Sequence, residues 1–343
     1  MQSLKGLATG IGSLPHQNTE EALDLIFKYV PNIPFWPQLP KRDFREGMIS
    51  QFSENIPCLG VSKDSLIFNP AKKEEELELF YERIIGQDLD YFKINPDFAS
   101  GLYRFCQRLG RINLDNIEYI KCQITGPFTF AASIKDENGK ALLHDTVLMQ
   151  TILKGLTMKA LWQINFFKQF AKKMIIFLDE PYLGCFGSAY TPINREDVVK
   201  NLSELTVSLK SQGALVGIHC CGNTDWSMFT QLESIDIVNF DAVSFLDRFL
   251  LYADSLKKFL ERGGIICWGI APTQEFSGKE EPGFFLGKLE YAIEQLAKKG
   301  ISRSLLSERL LVSPACGLGA LDPEKAEAIF GLLAKISQEI RSN

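Results

Sequence analysis

From residue 117 onward the chain alternates between short apolar runs and longer stretches whose apolar residues recur three and four apart. Runs of four to eight apolar residues suit buried strands, and the wider spacing gives a helix one apolar face. IEYIKCQIT, KMIIFLDE, ALVGIHCC, DIVNFDAV, GIICWGIA and RLLVSPAC are six such runs, with helical stretches between them. Residues 140–171 are expected to give one or two outer helices and residues 195–211 another. Ahead of these, LATGIGSLPH reads as a strand running into a tight turn, and residues 19–29 as a helix. PFWPQLPKRDFREGM, with three prolines in seven residues, reads as a second short strand and an extended loop. Eight strands alternating with helices predict an α/β fold of the (β/α)8 TIM-barrel type. The chain has 343 residues, which leaves room for that barrel and an excursion. Residues 1–343 are therefore expected to form one domain, with an N-terminal insertion over roughly 40–115. Within it, CLGVSKDSLIFN alternates about Lys63 and Asp64 like a β-hairpin, and EEELELFYERII has helical spacing. The charges at residues 72–76 fit the solvated start of that helix. No linker, low-complexity tract or internal repeat divides the chain.

Composition narrows the partners. Apolar residues make up 45% and charged residues 23%, as in an ordinary globular protein, and a net charge of -5 disfavours a nucleic-acid partner. MQSLKGLATG lacks a basic-then-apolar leader and no apolar run reaches eighteen residues, so a cytoplasmic protein without a membrane span is expected. In that compartment the eight cysteines are available as thiols rather than disulfides. With only His16, His144 and His219 in the chain, sulfur must dominate any metal site.

In such a barrel the functional groups sit at the carboxyl ends of the strands. Ser13, Thr125, Asp179, His219, Asp241, Trp268 and Cys316 fall there. His219 and Cys221, two apart, leave their strand on the same side. Cys316 follows another apolar run, so closing the barrel allows all three to meet, and nitrogen with sulfur is the donor set zinc prefers. The same residues also suit a plain core, because free cysteine is commonly buried and a strand-end histidine is commonly hydrogen-bonded. Asp179 and Glu180 can equally cap a helix. Trp268, with Phe35 or Trp36, can roof the barrel mouth or simply fill the core, and Cys220 should point away from its neighbours and pack.

IGSLP, ITGPFT, DEP, the HxC of IHCCGN and PACGL resemble, in that order, the motifs of the catalytic barrel of cobalamin-independent methionine synthase. HCCGN also resembles the zinc methyltransferases that carry methyl groups from corrinoid proteins to coenzyme M, and both groups belong with the uroporphyrinogen decarboxylase-like barrels. The resemblance implies Zn2+ held by His219, Cys221 and Cys316. The family's fourth ligand is a glutamate, and Asp241 is its nearest counterpart, one methylene shorter. The resemblance further implies that Asp179, with Glu180 beside it, receives the amino group of homocysteine and that Ser13 holds its carboxylate. Gln38 or Glu46 stands nearest to a further substrate-binding glutamate of the family. The implied activity is that of a 5-methyltetrahydropteroyltriglutamate–homocysteine methyltransferase, with no catalytic residue beyond the metal site. A single barrel resembles the short members of the family, which implies a methylated corrinoid protein as donor in place of folate. Coenzyme M or another small thiol stays open as acceptor. A metal-free uroporphyrinogen decarboxylase needs a basic amino-terminal stretch to grip its substrate, and here that stretch has one lysine and no arginine. A non-catalytic binding protein is the alternative of another class, and metal content separates it from the transferases.

Overall fold

A computed structural model describes residues 4–188 and 193–342. The chain opens with β1 (Leu7–Ala8) and α1 (Thr19–Tyr29), then runs through the hairpin β2 (Leu59–Ser62) and β3 (Ser65–Phe68), α2 (Lys73–Ile85) and α3 (Ser100–Leu109). Next come β4 (Tyr119–Thr125), α4 (Pro127–Ser133), α5 (Thr146–Phe167), β5 (Lys173–Asp179), α6 (Arg195–Ser211) and β6 (Leu215–Cys220). The remainder is α7 (Ser227–Thr230), β7 (Ile237–Asp241), α8 (Leu246–Phe249), α9 (Ala253–Glu261), β8 (Ile265–Ala271), α10 (Pro282–Lys298), α11 (Arg303–Glu308), β9 (Leu310–Pro314) and α12 (Pro323–Ser342). The helices start where local chemistry satisfies their free N–H groups. Asn18, Asp145 and Asn194 accept backbone hydrogen bonds at the heads of α1, α5 and α6. Among the described residues no helix is long and apolar enough to cross a membrane.

Seven strands form one curled parallel sheet in the order β1-β9-β8-β7-β6-β5-β4. The second expected strand, in PFWPQLPKRDFREGM, does not join as a ladder. Residues 34–38 make only single bridges, Phe35 to Lys121 of β4 and Gln38 to Ser13 beyond β1. Lys121 N donates to Pro34 O (3.0 Å), while Gln38 N donates to Gly12 O (3.0 Å) and Leu14 N to Gln38 O (2.9 Å). Pro34 and Pro37 have no N–H to continue the pairing. Side-chain amides replace the missing bonds: Gln123 Nε2 donates to Trp36 O (2.9 Å) and Trp36 Nε1 to Gln163 Oε1 (2.9 Å).

The sheet buries both faces, and parity along β4–β9 sorts the side chains. Even-numbered apolar residues such as Ile176, Ile218, Phe240 and Val312 pack under the helices in the large core. Odd-numbered ones, including Tyr119, Ile175, Phe177, Ile237, Ile265 and Leu311, form a separate inner cluster. That cluster is the floor beneath the carboxyl ends of the strands.

The excursion contains the expected hairpin, with Ser62 opposite Ser65 and Lys63 at φ +51° in its turn. It ends sooner than residue 115. α3 lies in the outer helical layer beside α1, where Phe105 stacks on Phe27 (5.7 Å) and Arg108 bridges Glu20 and Asp24. The stretch at 140–171 gives one helix, α5, flanked by short 3-10 turns.

Candidate metal centre

β6 carries the centre. Because 215, 217, 219 and 221 share a parity, His219 and Cys221 face inward while Cys220 is buried among the outer core residues. Cys316 lies two residues beyond β9, and the curl of the sheet brings it back over β6. One donor atom each from His219, Cys221 and Cys316 lies within 4.8 Å of the other two. His219 is buried, and the two cysteines are half-buried, so the sulfurs open toward the strand ends while the imidazole lies below them. Gly222 makes the turn after Cys221 fit: a Cβ there would stand 2.6 Å from the Cα of Gly184, in the turn that follows Asp179 and Glu180.

The three groups are electrostatically coupled to one another. A hydrogen bond from the Cys221 thiol holds Cys316 below the usual thiol range against the opposing effect of burial, with His219 adding to the pull. Donating that bond raises Cys221. Burial lowers His219, but the Cys316 sulfur and Asp179 outweigh it and the imidazole ends above its ordinary value. Asp179, paired with His219 in the sheet register, is raised to about 6 by burial. Its Oδ1 has no partner among the described residues.

Other expected site residues are held elsewhere. Glu180 is a helix cap: its oxygens accept from Phe128 N (3.0 Å), Thr129 N (2.8 Å) and Thr129 Oγ1 (2.6 Å) at the head of α4. Gly126 permits this, since a Cβ there would meet the Glu180 carboxylate at 2.3 Å. ITGPFT and DEP are thus two halves of one structural contact, and Glu180 has its lone pairs committed. Trp268 is corrected too. Its even position turns it outward, against Phe240 (5.4 Å) and Phe249 (6.0 Å), so it does not roof the mouth. Ser13 does reach the strand ends, where its Oγ accepts from Gly319 N (3.2 Å) in the loop after Cys316. Gln38 is 4% exposed and donates to Gln51 Oε1 (2.7 Å), tying the excursion to the rim. Glu46 Oε1 is taken up by Arg42 and by Ser100 N at the head of α3, while its buried Oε2 has no partner among the described residues.

Asp241 lies outside the cluster of three. Its Oδ1 accepts from Val243 N and Ser244 N, both at 2.9 Å, so the shorter carboxylate folds back onto its own turn. Asp241→Ala should therefore leave metal stoichiometry unchanged and lower stability by about 1 kcal/mol, as for the loss of a cap. Metal analysis and denaturant titration of the purified variant check this.

Two inward polar residues were not anticipated. Asn239 lies between His219 and Ser313, accepting from the imidazole and donating to the hydroxyl. Lys121, fully buried, donates to Ile11 O (2.5 Å) and Gln123 Oε1 (3.2 Å) and lies 4.6 Å from the Phe177 ring centre. The signal for Asn239 is a lone amide among the apolar residues of IVNF, and for Lys121 a charge in the middle of a strand buried along its whole length. A cavity of about 750 Å3 between α5, α6 and the start of β5, lined by Met158, Leu161 and Met174, includes no residue of the cluster.

No family model matches the chain and no curated protein matches it. Among solved structures it is similar to a B12-independent methionine synthase from Shewanella sp. W3-18-1 in complex with selenomethionine, at 16% identity and TM-score 0.44, covering 65% of this chain and 62% of that one. It is also similar to a variant methylaspartate ammonia lyase from Clostridium tetanomorphum (10% identity, TM-score 0.34, 79% and 58% covered). A third likeness is to a Cellulomonas fimi endo-beta-1,4-mannanase (12% identity, TM-score 0.29, 75% and 58% covered). The chain spans about three fifths of each of these proteins, whose chemistries differ, and the likenesses assign it no reaction.

Proposed function

We propose that the chain is a zinc-dependent methyltransferase that alkylates a small thiol, homocysteine to methionine, on a single-domain (β/α)8-type barrel in which residues 34–38 span the gap between β1 and β4 by single bridges. The observation that carries this reading is the meeting of His219, Cys221 and Cys316 within 4.8 Å at the carboxyl ends of the strands. One imidazole and two sulfurs fit zinc, and three protein ligands with a position left open mark a catalytic site rather than a structural one. Zinc bound there would supply the Lewis acidity that keeps an incoming thiol as its thiolate at neutral pH. His219, Cys221 and Cys316 hold the ion. Asp179 offers its unpaired Oδ1 to the substrate amino group, and the ammonium it meets there favours the charged carboxylate that burial disfavours. Ser13, fixed by Gly319, is placed to orient the substrate's other end. The two sulfurs are only half-buried, so a methyl donor, which we take to be a methylated corrinoid protein in the cytoplasm, would approach from their exposed side.

Zinc-edge X-ray absorption on the zinc-loaded protein tests the reading. Homocysteine should add one sulfur to the two that Cys221 and Cys316 provide, and methylcobalamin should then yield methionine. Addition by coenzyme M alone would change the acceptor. A shell that neither thiol alters would remove thiol alkylation.

A further inference from the structure

We infer that Asn239 is a positioning residue that locks His219 into the tautomer with Nδ1 protonated, leaving Nε2 to face the sulfurs, and that it ties the two ligand-bearing strands together. The inference rests on the reading of His219 as a metal ligand and extends it to a residue with no metal-binding atom in the cluster.

The orientation of the Asn239 amide follows from the acceptors around it. Ser313 Oγ gives its hydrogen to Pro314 O (2.9 Å), so toward Asn239 it can only accept. The Cys267 backbone carbonyl also can only accept. Asn239 Nδ2 donates to both, at 2.8 Å and 2.9 Å, which uses both amide hydrogens and fixes which end of the amide is nitrogen. Asn239 Oδ1 therefore points at His219 Nδ1, at 2.5 Å, and having only lone pairs it requires the hydrogen to be on that nitrogen. The other ring nitrogen is the one left for the sulfur side, where the imidazole hydrogen-bonds Cys316.

Asn239 and Ser313 are both fully buried, so water cannot replace a lost bond cheaply. The contacts run from β6 through β7 and β8 to β9. They join the strand carrying His219 and Cys221 to the strand that leads into Cys316, and so help set how far apart the ligands stand. A metal-bound histidine is generally held by a partner on its second nitrogen, and removing such a partner typically weakens metal binding 10–100-fold.

The test uses the full chain, Zn2+ and a competing chelator. Asn239→Leu, of similar shape but unable to accept or donate, should bind zinc about 10–100-fold more weakly with its far-UV circular dichroism unchanged. Ser313→Ala, which removes one of the two anchors of the amide, should weaken binding by less. In the zinc-loaded parent, nitrogen-15 spectra of His219 should show a proton on Nδ1 and the metal on Nε2, a signature that a merely structural role for Asn239 would not dictate. If Asn239→Leu does not fold, Ser313→Ala and the nitrogen spectra still decide. Zinc held as tightly by Asn239→Leu as by the parent, or a metal found on Nδ1, overturns the inference while leaving the function reading intact. A parent that takes up no zinc overturns the function reading first.

Discussion

Cys316→Ser protein is expected to lose zinc binding by more than about 10²-fold, beyond the range seen when only a supporting residue is removed, and to transfer no methyl group above background. The sulfur is a soft donor already biased toward the thiolate by Cys221 and His219. A serine hydroxyl is harder and stays protonated at neutral pH, so two ligands would have to do the work of three. Cys221→Ser should behave in the same way. The control is Cys220→Ala. That residue is adjacent in sequence but of opposite parity, buried in the outer core, and its loss should leave one zinc per chain. Metal analysis of the three purified variants checks the set. Retention of full zinc by Cys316→Ser would remove the centre, and loss of zinc from Cys220→Ala would mean the assigned parity is wrong.

Lys159→Met should stabilise the protein at pH 7, by about 3 kcal/mol. Lys159 lies in α5 with no exposed surface, and its Nζ has no partner among the described residues. Burial lowers its pKa from 10.5 to about 8. The folded state therefore holds the proton less tightly than the unfolded chain. Between pH 8 and 10.5 the unfolded chain binds more protons, so the parent's stability rises with pH across that window. Below pH 8 the full penalty of carrying a desolvated ammonium is present. Methionine is of similar length, flexible and uncharged, so it removes the penalty without opening a large void. The gain should shrink as pH approaches 10.5, and urea unfolding of parent and variant at pH 7 and pH 10 measures it. A variant less stable than the parent at pH 7, or a gain independent of pH, would show that the ammonium has a favourable role. Lys121→Met should not stabilise in the same way. It would strip Ile11 O and Gln123 Oε1 of their donor, which offsets the relief from burying a charge.

Part of this molecule is legible in its order of residues. The alternation of apolar runs and helical stretches after residue 117 locates β4–β9 and most of the helices, because burial periodicity is local. The hairpin about Lys63 and Asp64 follows from alternation around a turn. The expectation that His219 and Cys221 share a side follows from the two-residue repeat of strand side chains, and it survives although Cys221 stands one residue past the end of β6. The proline-rich second stretch makes single bridges and no ladder, because Pro34 and Pro37 withhold the N–H groups a ladder needs.

Facing was harder to read than position. A strand buried on both sides shows no apolar–polar alternation, so nothing in GIICWGIA says whether Cys267 or Trp268 looks inward. Glu180 as a cap of α4, Asp241 turned onto its own loop, and Asn239 beneath His219 depend on partners that no local pattern names.

The sequence by itself determined the elements, their order, and the pairing of His219 with Cys221 on one face, since these follow from backbone geometry within a few residues. Only the tertiary structure decided that Cys316 joins them and that Asp241 does not, because both depend on strand register and sheet curl, which bring together atoms far apart along the chain.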